Sequence, residues 1–100
     1  MATYILLGNF TEQGIRNIKD TTKRADAIRA TAKKMGISVD GMYWTLGQYD
    51  VVAMFDAPDD AAMTALALSI GALGNVRTQI LPAFTDEEIG PIVAKAVKKK

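Results

Sequence analysis

Two spacings of apolar residues alternate along this chain, and their order predicts where its strands and helices lie. Residues 3–10 are nearly all apolar, which is typical of a strand buried on both faces. Residues 43–55 hold two β-branched and aromatic runs around the turn-prone segment from Gly47 to Asp50, and this pattern predicts a β-hairpin. The predicted strands are residues 3–10, 37–46, 51–55 and 75–81.

Apolar residues three and four positions apart predict two main helices. The first starts at the N-cap residue Thr11 and ends at Gly36. Its apolar stripe comprises Ile15, Ile18, Thr22, Ala25, Ile28, Ala32 and Met35. The second starts at Pro58, which suits the first helical position, and ends at Gly74, with close packing expected at Gly71. Its expected buried residues are Met63, Leu66, Ala67, Ile70 and Leu73.

A third amphipathic segment follows the last strand. Three acidic residues at 86–88 precede an apolar stripe, which predicts a short helix interrupted at Pro91. The stripe comprises Ile89, Ile92, Val93, Ala96 and Val97. Lysine occupies each of residues 98–100 and predicts a frayed basic tail. The chain is therefore divided into one domain, residues 1–85, and a C-terminal amphipathic segment with a basic tail, residues 86–100.

The order of the main elements, β-α-β-β-α-β, is that of the ferredoxin-like α+β fold. It predicts a four-stranded antiparallel sheet with both main helices on one face. The other face of such a sheet is polar when it meets water, but here both sides of the predicted strands are apolar. In the first strand, for example, Tyr4 and Leu6 alternate with Ile5 and Leu7. We therefore expect the open face to stack on a second copy about a two-fold axis, giving a homodimer or a higher homo-oligomer.

The composition excludes several kinds of chemistry. The 100 residues include no cysteine and no histidine. The lack of cysteine excludes disulfides, thiolate nucleophiles and Cys-ligated metal sites. The lack of histidine excludes the commonest general base and the usual haem ligand. We expect no cofactor and no metal, and we favour a non-enzymatic function.

Charge and hydropathy exclude other partners. The chain has twelve basic and eleven acidic residues, so its net charge is +1. The basic face of the first helix, with Lys23 and Arg24, is interleaved with Asp20 and Asp26, so nucleic acid is not expected as a partner. The chain has no run of 18 apolar residues and no secretory signal at its start. We expect a cytoplasmic protein that does not bind membranes.

Three separated motifs of this sequence resemble those of the GYD domain family. They are residues 14–24, residues 43–50 and residues 74–78. The family is named for its Gly, Tyr and Asp, which are Gly47, Tyr49 and Asp50 in this chain. The resemblance covers residues 3–85 and implies a ferredoxin-like fold of the dimeric α+β barrel type. It implies little about activity, because such barrels include cofactor-free monooxygenases, haem enzymes, isomerases and ligand-sensing domains.

The predicted hairpin offers a first group of candidate ligand-binding residues. Trp44, Tyr49 and Asp50 would line a pocket there. The alternative is that Gly47 and Asp50 fix the turn while Tyr49 packs against a neighbour or a second subunit. The sequence leaves both interpretations open.

A second group comprises Asn9, Arg16 and Arg77. These residues would converge on a small anionic ligand, because guanidinium groups bind carboxylates in a bidentate manner. The alternative is that the two arginines form ion pairs with Asp20, with Asp50 or with acidic residues of a partner.

Three classes of function stay open. We favour an oligomeric module that binds a small molecule or a protein. The second class is a cofactor-free enzyme that uses Tyr49, Asp50 or an arginine in a pocket beneath the hairpin. The third is a purely structural assembly unit. A pocket that holds Asn9, Arg16 or Tyr49 would favour the first two, and the same residues packed against another subunit would favour the third.

Overall fold

The computed structural model describes residues 1–97 and places four strands and four α-helices within them. The strands are β1 (Ala2–Phe10), β2 (Ser38–Trp44), β3 (Val51–Ala57) and β4 (Val76–Ala83). The α-helices are α1 (Glu12–Arg16), α2 (Thr21–Lys34), α3 (Asp60–Ala72) and α4 (Asp86–Ala96), and a short 3-10 helix, Ile18–Asp20, separates α1 from α2. This order confirms the predicted ferredoxin-like α+β fold. The predicted basic tail, residues 98–100, lies outside the described residues.

The four strands form one antiparallel sheet in the order β2-β3-β1-β4. In the centre, Tyr4 of β1 lies opposite Phe55 of β3 and Pro82 of β4. The register between β2 and β3 shifts by one residue at Asp40, which forms a β-bulge. None of the helices in the described part of the chain is long and apolar enough to cross a bilayer.

The core lies between one face of the sheet and the helices α2 and α3. Alternate residues of β1 and β3 point toward the helices, and Phe55 is fully buried there. Met63 and Leu66 of α3 are buried against it, while the small Ala32 lets α2 approach the sheet closely. Burying each of the three large side chains stabilises the fold by about 1.5–3 kcal/mol relative to leaving it exposed.

The helix ends mostly follow the predicted signals. Thr11 caps α1 by accepting a hydrogen bond from the Gly14 N–H at 3.1 Å, as predicted. Gly36 and Gly74 follow α2 and α3 with φ angles of +74° and +83°, which glycine adopts without strain. The predicted start of α3 at Pro58 is wrong by two residues. Asp59 is the N-cap instead, because its carboxylate accepts the Ala62 N–H at 2.9 Å.

The single helix predicted from Thr11 to Gly36 is divided in the structure. Helix α1 ends at Arg16, and Ile15 and Ile18 remain 55% and 41% exposed rather than joining the buried stripe. The division is stabilised by Arg24, whose guanidinium donates to the Asn17 carbonyl at 2.8 Å and to the Gly14 carbonyl at 3.4 Å. These bonds satisfy carbonyl groups that a continuous helix would have paired internally.

The outer side of α3 is more open than the sequence predicts. A Cβ atom built on Gly71 meets no atom within 4 Å, so the prediction of close packing there is wrong for the described chain. Leu73, which was expected in the core, is 61% exposed. Leu68, on the outer side of the helix, is 69% exposed.

Helix α4 extends from the domain without a buried residue. Its start is a capping box, in which Thr85 accepts the Glu88 N–H and the Glu88 carboxylate accepts the Thr85 N–H. The helix continues through Pro91, so the predicted interruption there is wrong. The extension makes the chain less compact, with a radius of gyration of 15.5 Å, where about 13 Å is expected for a compact domain of this length.

Candidate functional site

The face of the sheet opposite α2 and α3, which we name the open face, is apolar across all four strands. In the middle of this face, Ile5 lies beside Met54 of β3 and Leu81 of β4. In the next row, Leu7 lies beside Val52 of β3. The apolar residues of the open face are Ile5, Leu7, Tyr43, Val52, Met54 and Leu81.

Strand alternation produces this surface, because successive side chains point to opposite sides of a sheet. Tyr4 and Leu6 are 2% and 4% exposed on the helix side, while their neighbours Ile5 and Leu7 lie on the open face. Tyr43 of β2 is 53% exposed there. The predicted apolar open face is therefore present, and in the single chain it meets solvent.

One end of the open face carries the polar residues of the hairpin. Gly47 has a φ angle of +105°, so the turn uses a backbone conformation that favours glycine. The Asp50 carboxylate accepts the Phe10 N–H at 2.9 Å, and the Asp50 N–H donates to the Gly8 carbonyl at 2.9 Å. The Asn9 side-chain amide donates to the Gln48 carbonyl at 2.7 Å. These contacts attach the β2–β3 connection to the end of β1.

Arg77 and Tyr49 lie at the same end. Arg77 is in register with Asn9 across the β1–β4 ladder and is exposed. It points away from Val76 and Thr78, its neighbours in β4, which line a small cavity beneath the helices. The Tyr49 hydroxyl donates to the Gln79 side-chain carbonyl at 3.5 Å. The fold thus brings Asn9, Tyr49, Asp50 and Arg77 to one end of the sheet.

The other two candidate residues take part in different contacts. The Arg16 guanidinium bonds the Glu12 carboxylate at 3.0 Å on its own helix, and both side chains are exposed. The Trp44 indole N–H donates to the Thr21 hydroxyl at 3.0 Å, which places Trp44 on the helix side of the sheet at the start of α2. The described contacts therefore do not join Arg16 or Trp44 to the other four candidates.

The first and third of the three motifs meet at a tight junction. A Cβ atom built on Gly14 would lie 2.0 Å from the Asn75 carbonyl oxygen, so only glycine fits there. The same carbonyl accepts the Thr11 N–H at 3.0 Å, and the Gln13 amide donates to the Asn75 side chain at 3.0 Å. The motif glycine at 14 therefore allows two connections, one after β1 and one before β4, to approach each other closely.

The opposite end of the open face carries two carboxylates that were not among the predicted site residues. Asp56 of β3 accepts the Thr3 hydroxyl at 3.0 Å, and Asp40 in the bulge accepts the Ser38 hydroxyl at 2.9 Å. A hydrogen bond with the Asp40 carboxyl raises the pKa of Asp56, as does burial, although the Thr3 hydroxyl opposes the shift. Asp56 could have been predicted here, because side chains alternate along β3 and the preceding Phe55 is buried on the other side. Asp40 could not, because the sequence does not reveal the bulge that places it on this face.

Comparison with known proteins identifies the family. From residue 4 to residue 93 the sequence matches the model of the GYD domain. The chain belongs to the GYD domain family. This GYD domain is also similar to a protein of Thermus thermophilus named glutamine synthetase and cystathionine beta-lyase binding protein. The two are 29% identical over 85 residues, which cover 84% of this GYD domain and 90% of the relative.

Proposed function

We propose that this GYD domain is a non-catalytic protein-binding module that assembles with itself through its open face. The observation that carries the proposal is the continuous apolar surface across β2, β3, β1 and β4, with Tyr43 at 53%, Met54 at 37% and Leu81 at 36% exposure. Contiguous apolar patches of this kind mark interaction sites in soluble proteins. A second copy of the same face covers it completely and closes the assembly about a two-fold axis.

The partner of the assembled module is proposed to be a metabolic enzyme. The relative from Thermus thermophilus carries glutamine synthetase and cystathionine beta-lyase in its name as the proteins that it binds. Its similarity extends over most of both chains, so we propose the same two enzymes as partners of this GYD domain.

Helix α4 is the element that we propose for enzyme docking. Ile89, Ile92 and Val93 form an apolar stripe that is 39–50% exposed, and the core of the domain is complete without it. An amphipathic helix of this kind lays its apolar side into a groove of its partner. A helix of eleven residues is also marginal in water by itself, so docking would stabilise it.

A titration with purified enzymes tests this function. The chain is immobilised, and glutamine synthetase and cystathionine beta-lyase from its source organism are each passed over it in an interferometry experiment. We expect saturable binding of at least one enzyme, and we expect Ile92→Asp to weaken it at least about tenfold, because a carboxylate would enter an apolar contact. Ala94→Asp adds the same charge to the opposite side of α4 and serves as the matched control.

The outcomes separate the two parts of the proposal. Absence of saturable binding to either enzyme, with the protein folded by circular dichroism, contradicts these enzymes as partners. Binding that Ile92→Asp and Ala94→Asp weaken equally contradicts the placement of the contact on the apolar stripe.

The hydrogen bonds at the hairpin support structural roles for part of the candidate site. Asp50 attaches the β2–β3 connection to β1, in agreement with the turn-fixing alternative considered above. The Asn9 side chain bonds the same connection. Binding of a small anion by Asn9, Tyr49, Asp50 and Arg77 stays a prediction. Calorimetry of the wild type and of Arg77→Ala against small carboxylic acids distinguishes the two roles.

A further inference from the structure

The open face carries opposite charges at two diagonally related corners. Asp56 and Asp40 lie on β3 and β2 at the end where β1 begins, because Asp56 is in register with Thr3. Arg77 lies on β4 at the end where β1 finishes, in register with Asn9. Since β2 and β4 are the two edge strands, the acidic corner and the basic corner are separated both along and across the sheet.

Neither corner forms a salt bridge within the described residues, although the positive charge of the N-terminus opposes the raised pKa of Asp56. The ion pairs formed there join Arg16 to Glu12 and Arg29 to Asp26, on the helices. The acidic corner instead holds two carboxyl groups close together, with hydroxyl groups of Thr3 and Ser38 as hydrogen-bond donors. Two neighbouring carboxylates repel each other, and a cation placed between them would remove that repulsion.

In a symmetric pair of stacked sheets, these charges favour one relative orientation of the two copies. A two-fold axis that relates two stacked sheets must lie in the plane between them. If the axis runs along the charged diagonal, each acidic corner meets the acidic corner of the other copy. If it runs across that diagonal, each acidic corner meets Arg77 of the other copy. The second arrangement pairs opposite charges twice, whereas the first places like charges opposite each other.

The dimensions of the open face allow each acidic corner to meet Arg77 of the other copy. Asn9 lies six positions after Thr3 in β1, which corresponds to about 20 Å along the strand. The rows that contain Ile5 and Leu7 lie midway between the two charged ends. An axis through that midpoint therefore superposes the apolar centres of both copies while it exchanges their charged corners.

We propose that Arg77 of each copy binds the Asp56–Asp40 carboxylate pair of a second copy, and that this contact sets the orientation of two stacked sheets. The proposal rests on the self-association proposed above and specifies its geometry. The apolar rows supply the attraction between the sheets, and the two corner contacts select one of the two symmetric arrangements.

A charge exchange tests the contact. The dissociation constant of the assembly is measured by sedimentation for the wild type, Arg77→Asp, Asp56→Arg and the variant that carries both changes. We expect each single change to raise the dissociation constant at least about tenfold, since it places like charges opposite each other, and the double variant to return to within about threefold of the wild type. Lys23→Asp, a charge reversal on the exposed side of α2, serves as the control and is expected to have no effect.

The outcomes distinguish this contact from self-association itself. A wild-type protein that stays monomeric at every concentration overturns the self-association and the contact together. A wild-type dimer that tolerates both single changes, or a double variant as weak as the product of the two single changes, overturns the contact alone. If a charge reversal unfolds the chain, the neutral pair Asp56→Asn and Arg77→Gln replaces it. In that case we expect dimerisation of the wild type to weaken with added salt and dimerisation of the neutral double variant to be nearly independent of salt.

Discussion

Two glycines of this fold differ in whether a larger side chain could replace them. Gly14 lies against the backbone of Asn75, where a Cβ atom would come within 2.0 Å of the carbonyl oxygen. Gly71 lies in the last turn of α3, with open space at the position of a Cβ atom. The first glycine is required by the approach of two chain segments, whereas the second only weakens its helix.

Replacement of each glycine by alanine should therefore change stability in opposite directions. Gly14→Ala forces the Asn75 segment to move and breaks the Thr11–Asn75 hydrogen bond, so we expect a loss of about 1–3 kcal/mol in the free energy of unfolding. Gly71→Ala should raise this free energy by at most about 1 kcal/mol, because alanine is the better helix former but position 71 lies in the last turn. Urea unfolding at one protein concentration measures both changes. A Gly14→Ala protein as stable as the wild type would contradict the close approach at this junction.

The strands and helices show how far the sequence determines this fold. Spacings of two and of three to four residues predicted all four strands, both main helices and the open apolar face. They did not predict the division of the first helix, because it depends on hydrogen bonds from the Arg24 side chain to backbone carbonyls, which the spacing of apolar residues does not reveal. Alternation separated Tyr43 from Trp44, but only the packing of α2 determines which of the two faces the helices. Of the six candidate residues, the fold brings Asn9, Tyr49, Asp50 and Arg77 to one end of the sheet, and ligand binding there stays a prediction. The contacts of Arg16 and Trp44 with Glu12 and Thr21 depend on packing that residue spacing does not reveal.

A tyrosine in β1 joins the sheet to the first turn of α3. The Tyr4 hydroxyl donates a hydrogen bond to the Asp60 carboxylate, and the side chain is 2% exposed. This bond and burial raise the pKa of Tyr4 to about 12. The folded protein therefore holds the phenol proton more tightly than the unfolded chain does.

The raised pKa predicts a loss of stability at alkaline pH. The stability that comes from Tyr4 is fully present below pH 10, the pKa of an unperturbed tyrosine, and is lost as the pH rises toward about 12. Tyr4→Phe lacks both the hydrogen bond and this titration. The difference in unfolding free energy between the wild type and Tyr4→Phe should therefore be constant up to about pH 10 and shrink above it. A difference that stays constant to about pH 11.5 in guanidinium titrations would contradict this assignment.

The whole molecule presents two apolar surfaces on opposite sides of its sheet, and only one is covered by its own helices. Leu81 lies on the open face in the edge strand β4, in register with Ile5. Leu68 lies on the outer side of α3 and is more exposed, at 69% against 36% for Leu81. The two leucines therefore offer a matched test of which surface brings copies of the chain together.

We expect Leu81→Asp to separate the assembled copies and Leu68→Asp to leave them together. A carboxylate at position 81 would be buried without a partner between two sheets, and we expect the dissociation constant to rise at least about 100-fold. Sedimentation equilibrium over a wide range of protein concentration measures both variants. Equal effects of the two changes, or dissociation by Leu68→Asp alone, would place the contact on the helical side instead.

The bulge at Asp40 and the proline at 82 have a consequence for the solubility of this small protein. They lie in β2 and β4, the two strands whose outer backbone groups have no neighbouring strand within the described chain. Bulges and prolines hinder the addition of a further strand, which is how natural sheets resist the lateral growth that leads to fibrils. A chain with so much apolar surface is thereby protected from lateral polymerisation, and the self-association proposed above would give a finite, closed complex.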